Sequence, residues 1–115
     1  MHVADMYTTD SNGNPQSAFT SGATVYWKVQ IVDQSGNPVS GASVDTNIKR
    51  PTGANYISSA KGTTDATGWT ALISHSVNVG STPGTWTVNL NGVTKTGATY
   101  DAAANVKSSA SFTDQ

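Results

Sequence analysis

The chain contains no cysteine and no glutamate, and its only leucines are Leu72 and Leu90. Without cysteine there is no disulfide framework and no thiolate-held zinc or iron–sulfur site. With Glu absent and Leu, Lys, Arg and Met scarce, the residues that favour long helices are missing. Charged residues make up 11% of the 115 positions, against about 25% in ordinary soluble domains. Six basic residues and a formal net charge of −1 give nucleic acid no electrostatic footing. No run approaches the roughly 20 apolar residues of a membrane helix. The opening Met1-His2-Val3-Ala4-Asp5 lacks the basic start and apolar run of a signal peptide. The chain is expected to be a module excised from a larger protein, so this opening says nothing about where the parent goes.

What is present is a vocabulary of strands and turns: 17 Thr, 14 Ser, 11 Gly and 9 Asn, with three Trp, four Tyr and two Phe. β-branched and aromatic residues suit a half-buried pleat, and their interleaving in short runs separates this chain from a disordered one. The length fits a single domain over residues 1–115 with a modest core.

The clearest strand covers residues 24–33, where Val25, Trp27, Val29 and Ile31 alternate with Tyr26, Lys28 and Gln30, the period of two expected of a strand with one face buried. Further strands are expected over residues 3–8, 42–49, 56–64, 69–75 and 85–91, with a last one within 105–112. Residues 93–100 are expected to pair back or to open a longer connection. Turn chemistry separates these runs. Asp10-Ser11-Asn12-Gly13-Asn14-Pro15 and Asp33-Gln34-Ser35-Gly36-Asn37-Pro38 share one pattern, one turn solution used twice. Asp65-Ala66-Thr67-Gly68 is a turn, residues 76–84 a loop, and Asn91-Gly92 a hairpin signal. Seven or eight short strands with turns about every 10 residues predict an all-β, two-sheet antiparallel sandwich, with a closed barrel as the alternative. Lys28, Lys49, Lys95 and Pro38 are candidate guards of its edge strands.

Three segments, Val32-Asp33-Gln34-Ser35-Gly36-Asn37-Pro38-Val39-Ser40-Gly41-Ala42-Ser43-Val44, Gly62-Thr63-Thr64-Asp65-Ala66-Thr67-Gly68 and Pro83-Gly84-Thr85-Trp86-Thr87-Val88, resemble the immunoglobulin-like modules of bacterial surface and secreted proteins. His2-Val3-Ala4-Asp5-Met6 and Tyr100-Asp101-Ala102-Ala103-Ala104-Asn105-Val106 look more narrowly like the accessory immunoglobulin-like domain of secreted bacterial proteases and other hydrolases. That domain tends to carry Gly where Ala4 stands and Pro at or beside Ala103. The resemblance implies an immunoglobulin-like sandwich acting as a non-catalytic spacer or accessory module, monomeric, extracellular or at the cell surface, whose partners are the neighbouring domains of the parent. It supplies no binding residue.

Planar aromatics on a sandwich are the usual tools for stacking on sugars. Trp27 and Trp86 fall on the apolar phase of their strands and belong to the core. Trp69 is the candidate ligand contact, with Tyr26 as its partner. If Thr70, Leu72 and Ser74 face inward, then Trp69, Ala71 and Ile73 face out. A carbohydrate-binding module using Trp69 and Tyr26 is therefore the alternative function, and an adhesin repeat binding a host protein a further one. Asp10, Asn12 and Asn14 have the one-three-five spacing of a calcium loop, but Pro15 stands where that loop needs Gly and no Glu closes it. Asp5, Asp101 and Asn105 would converge only if the first and last strands lay close. His2 and His75 lack ligand spacing. With no nucleophile elbow and no carboxylate pair of the glycosidase kind, neither an enzyme nor a bound cofactor or metal is expected. A Lys–Asn or Lys–Asp crosslink of the kind known in similar modules is not expected either, since the first lysine, Lys28, lies in a strand's polar phase.

Overall fold

The structure is a computed structural model that describes residues 1–20, 22–76 and 84–114. Most of the loop expected over residues 76–84 lies outside the described residues. The chain is all-β: β1 (His2–Thr9), β2 (Ala18–Phe19), β3 (Thr24–Val32), β4 (Ser43–Lys49), β5 (Asn55–Thr63), β6 (Ile73–Ser76), β7 (Gly84–Thr94) and β8 (Ser109–Asp114), with one 3-10 turn at Ala102–Ala104. Two separate sheets form, in the orders β1-β3-β6 and β2-β8-β7-β4-β5, so the arrangement is sandwich-like and not one closed barrel. Their pairings are antiparallel except for the short parallel β2/β8 pair.

Alternation decides which side of each strand meets the other sheet. From the smaller sheet Val3, Met6, Val25, Trp27, Val29, Ile31 and Ile73 point inward; from the larger come Val44, Ile48, Trp86, Val88, Val93 and Phe112, all buried. Trp27 and Trp86 are both wholly buried, as their phase predicts. Trp86 stacks on Phe112 at 6.1 Å and meets the edge of Tyr56 at 5.1 Å. Buried aromatic surface of this kind supplies much of the core's stabilisation. A buried polar link crosses the core: Trp27 Nε1 donates to Thr46 Oγ1 at 3.0 Å, and that hydroxyl donates to the Ala60 carbonyl at 2.8 Å. A buried indole N–H needs such an acceptor.

Several expectations are corrected. Asn91-Gly92 does not turn the chain, because β7 runs unbroken to Thr94. Thr46 pairs with Leu90 and Asp45 with Gly92, so Asn91 is the extra residue of a β-bulge, and β4 supplies partners as far as Thr94. The strand expected over 69–75 begins only at Ile73. Trp69 and Thr70 make isolated bridges to Gln30 and Thr64. The side-chain phase therefore changes between Thr70, which is buried, and Ile73, which faces the core and not the solvent. The last strand runs two residues beyond the expected range, to Asp114, and β2 forms where no strand is expected.

Two of the expected edge guards do not sit on edge strands. Lys28 and Lys49 lie on β3 and β4, which have partners on both sides. The free side of β1 is instead covered by residues 99–107. The Met1 amine donates to Thr99 O, Asp101 N–H to Met1 O, and Val106 N–H to Val3 O. Asn105 Oδ1 accepts from Val3 N–H at 2.8 Å, while its amide donates to the Tyr100 hydroxyl. Lys107 Nζ pairs with Asp5 at 3.2 Å. A covered edge cannot recruit a foreign strand. On β5, the other long edge, two register irregularities break the regular ladder.

Candidate functional site

The outer face of the β1-β3-β6 sheet gathers the aromatic candidates. Because Val25, Trp27, Val29 and Ile31 are buried, the intervening Tyr26, Lys28 and Gln30 point away from the core. The β1/β3 register sets Tyr7 opposite Lys28 and Asp5 opposite Gln30, while Ser74 lies opposite Tyr26 on the other side. The Gln30–Trp69 bridge brings Trp69 to the same face. Trp69 and Tyr26 therefore share one surface, both half-buried.

The rings in contact, however, are Tyr7 and Trp69, at 5.5 Å and 67°. Lys28 Nζ lies 4.8 Å from the Trp69 centroid and 5.2 Å from that of Tyr7, within cation–π range of both. Tyr7 and Lys28 are the residues that sequence reasoning missed. Lys28 was legible as part of the polar phase of β3; Tyr7 becomes its neighbour only through strand register. A backbone frame fixes Trp69: its carbonyl accepts from Asp65 N–H at 2.9 Å, and Thr70 N–H donates to Val29 O at 2.9 Å.

The acidic turns are occupied by their own backbone. Asp10 Oδ1 accepts from the N–H groups of Asn12 and Asn14 at 2.8 and 3.0 Å. Asp33 does the same with Ser35 and Asn37, both at 2.9 Å. Gly13 and Gly36, at φ 86° and 84°, complete the two matching turns in a conformation that favours glycine. Hydrogen bonds to the charged form hold both carboxyls below their ordinary value of 3.8, from Asn12 first at Asp10 and from Asn37 first at Asp33. Asp65 is lowered in the same way, chiefly by the Thr67 hydroxyl and then by the Thr67 N–H.

Asp5, Asp101 and Asn105 do not converge. Asp5 pairs with Lys107, Asp101 caps the 3-10 turn through Ala103 N–H, and Asn105 holds β1. The lysine that meets an acid of the first strand is Lys107, whose side chain is 50% exposed with Asp5 at 41%, which describes a solvated ion pair. His75 meets the edge of Tyr56 at 5.5 Å. Among the described residues no three His, Cys, Asp or Glu side chains cluster as metal ligands. No protein-family model matches the chain, and no curated protein matches it.

Proposed function

We propose that the chain is an immunoglobulin-like, non-catalytic module that serves as a spacer or accessory domain in a secreted or cell-surface protein. The observation that carries this reading is the course of the chain. His2 pairs with Val32 at one end of the smaller sheet and Thr9 with Tyr26 at the other. Met1 and Thr99–Asp101 meet at the first end, and β8 runs from the middle of β7, at Asn89, to its start at Gly84. That start lies beside Pro51, in the turn after β4, while the far end of β7 pairs with Ser43. The first strand therefore leads away from the end at which the chain begins, and the last strand leaves at the opposite end. A body 43 Å long and 20 Å at its narrowest, joined to its neighbours at opposite ends, separates them by its own length.

Strand order supports the immunoglobulin-like part of the reading. With β2 set aside as a short outlying pair, the strands group as first, second and fifth against third, fourth, sixth and seventh. An immunoglobulin sandwich in which the fourth strand pairs beside the third has the same grouping. The sequence resemblance and the sparse charge fit an extracellular setting.

Small-angle X-ray scattering on two copies joined by a short linker tests the spacer geometry. The expected result is a maximum dimension that grows by roughly the 43 Å long axis. A side-by-side pair with little growth overturns it.

A further inference from the structure

We infer that the outer face of the β1-β3-β6 sheet binds an acidic polysaccharide of the uronate class, with a sugar carboxylate held by Lys28 and a sugar ring packed beside the Tyr7–Trp69 pair. This goes beyond the spacer reading and does not depend on it, because a ligand on the face leaves both ends of the module free.

The first support is the state of Lys28. Lys28 is half-buried, and its ammonium sits beside the touching Tyr7 and Trp69 rings, within cation–π range of both. Among the described residues the one ion pair is Lys107 with Asp5, and residues 77–83 contain no acid. Asp5, the nearest carboxylate on this face by register, accepts from Met6 N–H and is neutralised by Lys107. The rings stabilise the cation through their faces without neutralising it, so Lys28 remains available to an anion.

The second support is the company around that charge. Tyr7 lies directly across from Lys28, Trp69 lies across from Gln30, and Tyr26 and Gln30 are two residues from Lys28 along β3, all on one sheet surface. A pyranose presents an apolar C–H face to aromatic rings and hydroxyls to amide and phenol groups. A uronate adds one carboxylate per sugar, which one point-charge ammonium can take. An acidic peptide would use the cation but not the aromatic and amide groups around it, so a sugar polymer is the occupant that accounts for both.

The test is biolayer interferometry at low ionic strength on immobilised polygalacturonate, neutral dextran and polyaspartate. The expected result is binding to polygalacturonate well above either control. Lys28→Gln should weaken it about tenfold or more, the loss expected for a charge-assisted contact; Lys28→Arg should restore it; Trp69→Ala should weaken it severalfold. No binding to polygalacturonate overturns the proposal. Equal binding to polyaspartate means simple ion exchange and overturns it, as does equal binding to dextran. A folded Lys28→Gln variant that binds like the parent also overturns it. If Lys28→Gln fails to fold, amide shifts of the unaltered protein titrated with galacturonate oligomers decide. Shifts concentrated at Tyr7, Lys28 and Trp69 support the site, and shifts elsewhere or none refute it. Failure here leaves the scattering test of the spacer untouched.

Discussion

Thr46→Val is the sharpest perturbation of the core. The hydroxyl of Thr46 lies at the centre of a buried polar chain across the sandwich, accepting from Trp27 Nε1 at 3.0 Å and donating to Ala60 O at 2.8 Å. Thr46 and Trp27 are both fully buried, so water cannot replace the lost partner. Valine has nearly the same shape, which keeps a cavity from confusing the result. An indole N–H left without an acceptor costs about 1–3 kcal/mol, and the lost bond to Ala60 about 1 kcal/mol more. Replacing the hydroxyl by a buried methyl returns about 0.8 kcal/mol. The expected net loss is about 1–3 kcal/mol, or roughly 5–15 °C in melting temperature for a domain of this size. Urea denaturation followed by far-UV circular dichroism measures it, with the midpoint falling and the slope unchanged. Thr46→Ser, which keeps the oxygen, should lose about 1 kcal/mol. A Thr46→Val protein within about 0.5 kcal/mol of the parent would show that the buried link holds nothing, and the reasoning would be refuted.

The turns give further expectations. At Gly68, φ is 82° and an added Cβ would stand 2.6 Å from Ile31 O, whereas at Gly36, φ 84°, it would meet nothing within 4 Å. Gly68→Ala should therefore destabilise clearly more than the roughly 1 kcal/mol of Gly36→Ala, and equal losses in thermal melts would contradict the clash. Asp10, Asp33 and Asp65 are all lowered from 3.8, so near that pH the unfolded chain binds more protons than the folded one. Their stabilisation is complete above about pH 5 and disappears as pH falls through the lowered values. Changing all three to Asn should flatten the stability–pH curve in that acid range, and an unchanged curve would refute it. Asn105→Ala removes the acceptor of Val3 N–H. Hydrogen exchange should quicken at Val3 before it does at Val29 in the core, while uniform exchange would show that residues 99–107 do not protect the β1 edge.

The strands around Trp27, Val44 and Trp86 were legible because alternation is a local property: each buried side chain is two residues from the next. The repeated Asp-x-x-Gly-Asn-Pro turns were legible for the same reason, since Asp10 and Asp33 bond only to residues within four positions. Asn91-Gly92 misled because its intrinsic turn preference was overridden by β4, whose ladder to Thr94 keeps β7 extended. Trp69 and Ile73 misled because a single phase was carried through a segment that leaves one pairing for another. The two-residue β2 exists only through its pairing with β8, almost a full chain length away.

The candidate site divides along the same line. Composition and phase by themselves determined an all-β chain, two core tryptophans, self-satisfied acidic turns and the outward positions of Tyr26 and Lys28. Only the tertiary structure brought Tyr7 and Trp69 together beside Lys28, paired Lys107 with Asp5, and sent the first and last strands to opposite ends. Those facts depend on register and on which strands are neighbours, long-range pairings set by packing of the whole core, and no local run of residues encodes them.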